Sequence, residues 1–203
     1  MRSIYKIVVC SLLTLSITSC EKDLLEKEQY QKEIYLIGAY NRVWTTEVSY
    51  SDEEVKTYFT VSSSGTLALD QDVNVKMKIN EELVDIYNKK YWTVLNEDKY
   101  YKSLDTDLYS IPSLENTVIK HAEGISAEVP VLIKTASLKI DQSYVIPVEI
   151  ESTTVYPISA SGRKMLVLLK LKNDYSGSYQ MNGHTTLEGE TPKTIQKPKT
   201  IKP

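Results

Sequence analysis

The stretch that most constrains this chain runs from Val73 to Ile79, where Val73, Val75, Met77 and Ile79 alternate with Asn74, Lys76 and Lys78. Successive side chains of a strand point to opposite faces, so this stretch has one dry face and one wet face. Val55, Thr57, Phe59 and Val61 alternate in the same way with Lys56, Tyr58, Thr60 and Ser62, and Ser62-Ser63-Ser64-Gly65 closes that run as a turn. Strands that are dry on one side need a second layer to cover them, which predicts two packed sheets.

Further strand signals follow the same logic. "IYLIGAY" (Ile34 to Tyr40), Thr117 to Lys120, Val129 to Ile133 and "SYVIPVEI" (Ser143 to Ile150) are β-branched or aromatic and bounded by turn residues such as Glu123-Gly124. "KMLVLLKL" (Lys164 to Leu171) is apolar on both faces in its middle, as a central strand is. Pro147 has no N–H for a ladder, which predicts that its strand lies at an edge or carries a bulge at the proline. Between these runs Asn80 is placed to cap a short helix with Leu83, Ile86 and Tyr87 on one side, ended by Asn88-Lys89-Lys90. Tyr91 to Pro112 has no sustained period and reads as a long loop, a kind of segment that is often functional. One small helix among strands, with no βαβ rhythm, predicts an all-β, immunoglobulin-like antiparallel β-sandwich with Greek-key connections.

The first residues make a different statement. Arg2 and Lys6 precede an apolar stretch from Ile7 to Ile17 with no acidic residue up to Ser19, which is the layout of a signal peptide and is too short to span a bilayer. Ile17-Thr18-Ser19-Cys20 resembles a bacterial lipobox. That resemblance implies cleavage before Cys20, a thioether to diacylglycerol at its sulfur, and acylation of the freed amine. Several acyl chains together anchor a protein durably where one does not. Cys10 leaves with the leader, so the mature domain has no thiol for a disulfide, a zinc site or a nucleophile. The block Glu21-Lys22-Asp23 and Glu26-Lys27-Glu28 resembles the acidic export signal of Bacteroidota surface lipoproteins, which implies an outer-membrane protein facing the cell exterior. The expected organisation is leader 1–19, lipid-anchored tether 20–33, sandwich 34–173, and 174–203 as a disordered tail or the truncated opening of a second domain.

With 24 basic and 27 acidic residues the chain has a net charge of −3, and loss of Arg2 and Lys6 makes it more negative. An acidic balance disfavours nucleic acid as a partner.

The order of several short motifs adds a family. "DIYN" (Asp85 to Asn88), "LYSI" (Leu108 to Ile111), "HAEG" (His121 to Gly124), "SAEVPVLI" (Ser126 to Ile133), "YVIPVEI" (Tyr144 to Ile150) and "PIS" (Pro157 to Ser159) together resemble domain of unknown function 1735. The Tyr-x-x-Pro-Val strand is the most specific piece, and the resemblance covers roughly Ile34 to Lys172. Asp105 stands where a proline is common, and the loop from Tyr91 to Leu108 is longer than usual. The resemblance implies an immunoglobulin-like sandwich in surface lipoproteins encoded in polysaccharide-utilisation loci, beside outer-membrane glycan importers. In some relatives it precedes a family 18 endo-β-N-acetylglucosaminidase, in others a laminin-G-like, lectin-like or second unknown domain. "YSGSYQMNG" (Tyr175 to Gly183) looks like the opening of such a partner.

Candidate chemistry is sparse. No D-x-x-D-x-D-x-E run of a family 18 hydrolase occurs, Asp105 and Asp107 sit in a polar segment, and neither His121 nor His184 has a nucleophile beside it in sequence. Asp70-x-Asp72-x-Asn74 with Glu81 mimics a calcium loop, but Val75 occupies the position that needs glycine. No catalytic residue, metal or cofactor is expected, and the chain is expected not to be an enzyme. Glycan contact is the hypothesis with residues to name. A sugar ring offers an apolar face to an aromatic plane and hydroxyls to nearby polar groups. Tyr91, Trp92, Tyr100 and Tyr101, interleaved with Asn96, Glu97 and Asp98, have that composition, and Trp44 is a further candidate; the bland alternative packs Trp92 into the core with Val94 and Leu95. The expected function is a non-catalytic spacer or docking module in glycan capture, with a membrane as partner through Cys20 and oligosaccharide or importer components as others. Direct carbohydrate binding by the Tyr91 to Tyr101 segment, and a structural or adhesion role by strand exchange, are the alternatives.

Overall fold

The computed structural model describes residues 27–172, 175, 177–186, 191 and 193–201. Cys20 and the leader lie outside the described residues, as does the first part of the tether. The first sheet has the order β1-β3-β8-β6, from β1 (Ile34–Leu36), β3 (Glu54–Ser63), β8 (Ser126–Lys134) and β6 (Tyr109–Ser110). The second has the order β2-β10-β9-β4-β7, from β2 (Val43–Ser49), β10 (Lys164–Lys172), β9 (Tyr144–Thr153), β4 (Val73–Ile79) and β7 (Thr117–Ile119), with β5 (Lys102–Ser103) also on β9. Consecutive strands β3 and β4 lie in different sheets, as do β8 and β9, which is Greek-key crossing of a sandwich.

The two alternating runs supply the core as expected. Phe59 and Val61 of β3 and Val73, Val75 and Met77 of β4 are buried against Val129, Val131 and Ile133 of β8 and Ile146, Val148 and Ile150 of β9. β10 is central, between β2 and β9, and its inward residues Met165, Val167 and Leu169 join the same core.

Other expectations need correction. The sheets are not purely antiparallel: β2 runs parallel to β10, and β5 parallel to β9. Residues 43–49, which carry no strand signal in the pattern above, form β2. "IYLIGAY" is extended only to Leu36, because Gly38 turns the chain at φ 89° into a 3-10 turn at Ala39–Asn41. Pro147 is on a central strand. Its carbonyl accepts from Asn80 N–H at 2.9 Å, so the side on which its N–H is missing faces the point where β4 leaves β9 at Val148 and β5 takes over at Val145. No donor is needed there, and the bulge lies elsewhere, where the β4–β9 register shifts at Lys76/Met77.

The helix α1 runs Glu82–Tyr91. Asn80 sits at its start as expected: its Oδ1 accepts from the first-turn Glu82 N–H at 3.2 Å, and its amide donates to Glu149 Oε2 at 2.5 Å. Val84 and Asn88 are the buried residues of α1, whereas Ile86 is exposed. The expected loop from Tyr91 to Pro112 is broken into 3-10 turns at Val94–Lys99 and Thr106–Leu108 and the short strands β5 and β6.

Residues 177–185 and 193–201 pair along their length as an antiparallel hairpin, β11 (Gly177–Thr185) with β12 (Lys193–Ile201). This ladder, in the segment expected to be a tail or the opening of a second domain, is held by backbone pairing along its length.

Candidate functional site

The outer face of the second sheet is where the aromatic residues gather. Val145 and Leu166 point outward from β9 and β10, and α1 covers them with Val84, flanked by Val43, Leu83, Tyr87, Tyr101 and Leu168. Tyr87 is the centre of the arrangement. Its ring lies 5.1 Å from that of Tyr101 at an interplanar angle of 10°, stacked, and 4.5 Å from that of Tyr91, tilted. Burial, and next the neighbouring Tyr101, push the Tyr87 hydroxyl up to about 12, so it is neutral at any physiological pH.

Asn88 fixes this cluster from below. It is buried, its Nδ2 donates to the Tyr101 carbonyl at 2.9 Å, and its Oδ1 accepts from Tyr101 N–H at 3.0 Å. The side chain thus imitates a strand partner and returns the chain to the sheet, where β5 begins.

The structure separates the sequence candidates. Tyr91 is 48% exposed with Lys90 Nζ 5.3 Å from its ring centre, and Tyr101 is half-buried in the stack. Trp92 is half-buried with Lys99 Nζ 5.7 Å from its ring centre, and its indole N–H is buried without a partner. Val94 and Leu95, which the bland alternative placed in the core beside it, are 77% and 92% exposed. Tyr100 is half-buried and its carbonyl accepts from Gln142 Nε2 at 3.4 Å. Trp44 stands apart. It packs against the sandwich core and directly under Gly38, where an added Cβ would come 2.7 Å from Trp44 Cε3.

Tyr87 was not among the sequence candidates. The signal was there, since Tyr87 and Tyr91 are one helical turn apart and share a face.

A groove of about 40 Å³ opens beside the stack, lined by Tyr87 and Tyr91 of α1, Leu166 of β10, and Arg42, Lys90 and Lys164. A larger, open trough of about 250 Å³ lies along the same strands, between Thr45, Leu168 and the turn at Ile140–Ser143. The two aspartates of the calcium-like motif are tied to other groups. Asp72 Oδ1 accepts from His121 N–H at 3.0 Å and meets His121 Nδ1 at 2.6 Å, and that imidazole contact, with the N–H, holds its carboxyl below the ordinary range. Asp70 accepts from Tyr156 OH at 3.2 Å. Among the described residues no group of three His, Cys, Asp or Glu converges as a metal site would.

Two crossed sheets, a parallel β2–β10 pair and a helix on the outer face define an immunoglobulin-like β-sandwich with an aromatic outer patch. The model of a family N-terminal domain matches residues 30–157, and that of its C-terminal domain matches residues 163–203. The chain belongs to this family, whose N-terminal module is the domain of unknown function 1735.

Solved structures share the fold. A multidomain protein from Bacteroides ovatus that includes this domain is 20% identical, with a TM-score of 0.56, over 79% of this chain and 51% of its own. An auxiliary nutrient-binding protein of Bacteroides thetaiotaomicron is 17% identical, with a TM-score of 0.55, over 82% of this chain and 56% of its own. A proposed carbohydrate-binding protein of Bacteroides ovatus is 18% identical, with a TM-score of 0.51, over 78% of this chain and 43% of its own. The chain thus spans about half the length of these structures. No curated protein matches it.

Proposed function

We propose that the chain is a non-catalytic module of a cell-surface glycan-capture system, lipid-anchored through Cys20, whose sandwich acts as a rigid spacer or docking unit. The observation that carries this reading is the position of its two ends. Ile34 pairs with Ser63 at the end of β3, and Ser64 and Glu33 exchange hydrogen bonds there. Lys172 pairs with Ser49 at the end of β2, and its carbonyl accepts from Tyr50 N–H at 2.7 Å, close to where β3 begins. The chain enters at one pole of the sandwich and leaves at the other, so strands of this length separate entry from exit by about 30 Å. A spacer between an anchored N-terminus and a unit beyond β10 needs that geometry.

The test uses the lipidated chain in outer-membrane vesicles. In the acylated protein a new cysteine is the sole free thiol, so a fluorophore is placed either at Ala68→Cys, near the entry pole, or at Glu53→Cys, near the exit. Energy transfer to a membrane dye is expected to be stronger from Ala68→Cys. Equal transfer from both, or processing of the precursor that is unchanged in Cys20→Ala, would sink the reading.

Direct carbohydrate recognition is the second reading, favoured by the half-exposed ring of Tyr91 at the mouth of the groove and by the described role of the carbohydrate-binding relative. Loss of affinity-gel retardation in Trp92→Ala or Tyr91→Ala would raise it above the spacer reading.

A further inference from the structure

The groove beside the tyrosine stack has a chemical bias opposite to that of the chain as a whole. Three cations stand around it, Arg42, Lys90 and Lys164, and none of the described residues that line it is acidic, although the chain as a whole is acidic. Of the three, Lys164 shares Glu149 Oε1 at 3.8 Å, but that carboxylate is also held by Arg163 at 3.0 Å. Arg42 and Lys90 are exposed and have no carboxylate within ion-pair distance among the described residues.

Arg42 is also held in an unusual way. It is the only non-glycine described with positive φ, at 63°, fixed by its N–H donating to the Ala39 carbonyl at 2.8 Å and its carbonyl accepting from Leu166 N–H at 2.8 Å. Its Cα is therefore locked to the end of β10 that forms the groove, while its guanidinium is left to solvent. Guanidinium presents a planar fork of donors that matches a carboxylate or sulfate.

The groove is small and open to solvent. At about 40 Å³ the groove accommodates one small anionic group. The Tyr91 ring at the mouth then offers a plane to the ring that carries that group.

We infer that this groove binds the charged group of an anionic saccharide, a carboxylate or sulfate, between Arg42 and Lys90 with the sugar ring against Tyr91. This rests on the direct-recognition reading and narrows it to one ligand class. Calorimetry of the full mature chain, in 20 mM and 300 mM salt, would compare a galacturonic acid trimer and a chondroitin sulfate disaccharide with neutral galactotriose. Wild type is expected to bind at least one charged probe at millimolar or better, with affinity falling several-fold in high salt. Arg42→Gly, which suits the left-handed backbone and so preserves the fold, and Lys90→Gln should each weaken that binding at least tenfold. Equal binding of galactotriose would overturn the anionic assignment and leave direct recognition standing. Binding of no saccharide would overturn both. Charged-probe binding that survives both substitutions would place the site elsewhere, and binding only to phosphatidylglycerol vesicles would reassign the cations to a membrane surface; each of these also overturns the proposal.

Discussion

Asn88 of α1 and Tyr101 before β5 are joined by two hydrogen bonds, one in each direction, between the asparagine amide and the tyrosine backbone. Twelve residues intervene in sequence, and this pair is what makes their two ends neighbours. Asn88 is 4% exposed, so neither half of its amide has water as a substitute. Replacing it by leucine would leave the part-buried N–H and C=O of Tyr101 without this partner, and an unsatisfied buried group costs about 1–3 kcal/mol. The expected result is a drop of that order in unfolding free energy in urea, with faster amide exchange from residue 92 to 101. Exchange unchanged in that segment would show that the pair does not hold it.

Gly38 and Trp44 make a second specific prediction. Gly38 has φ 89°, and a methyl group there would press on the indole ring rather than on a flexible chain end. Gly38→Ala therefore adds left-handed backbone strain to overpacking, which together cost about 2–4 kcal/mol. A thermal melt would register it, and a smaller loss in the double variant Gly38→Ala/Trp44→Leu than in Gly38→Ala alone would assign part of the loss to the ring.

Acid should weaken the fold through two named carboxylates. Desolvation pushes Glu149 up, but the Asn80 amide and the charges of Lys164, Arg163 and Lys78 outweigh it and hold the carboxyl below the ordinary range. Glu28 is held down to about 2, first by Lys32 and then by Thr66 N–H. A carboxyl more acidic in the folded state favours that state fully above its unfolded value, and the contribution disappears as pH falls through the folded value. Stability is thus expected to fall below the ordinary value of 4.5, with the Glu28 part lost between 4.5 and about 2. Urea midpoints measured from pH 6 to pH 2 check this, and the fall should be shallower in Glu149→Gln. Since Glu28 also accepts from Leu67 N–H, its protonation should speed amide exchange at Thr66 and Leu67.

How legible this was in the sequence depended on whether the signal was local. The alternation in β3 and β4 and the two-faced apolarity of β10 are properties of single strands, and they placed the core correctly because a buried face leaves its period in the residues. Pro147 misled because the rule about proline concerns the strand's neighbour: its missing donor faces the handover from β4 to β5, which no local pattern announces. β2 was missed because its burial is weak and irregular, with Val48 its one buried residue. In the candidate site the tyrosines at 91 and 101 were visible as composition. Their organiser, Tyr87, was hidden because it reads as an ordinary helix face residue until the chain folds back through Asn88. The cations Arg42 and Lys164 come from opposite ends of the sequence and meet only through the β2–β10 register.

The tyrosine stack itself separates a packing role from a contact role. Tyr87 touches both of its neighbours and lies over Val84, Val145 and Leu166, whereas Tyr91 has nearly half its surface in water. Truncating a mostly buried aromatic costs about 3 kcal/mol, less where part of it is already solvated. Tyr87→Ala should therefore lower the unfolding free energy by about 2–3 kcal/mol, and Tyr91→Ala by under about 1 kcal/mol. Tyr87→Phe should cost less than Tyr87→Ala, since it keeps the ring faces and loses only the hydroxyl that interacts with Tyr101. Urea melts of the three variants would check the order. If Tyr91→Ala proved as damaging as Tyr87→Ala, the exposed ring would be a structural clamp, and its availability to a ligand would have to be given up.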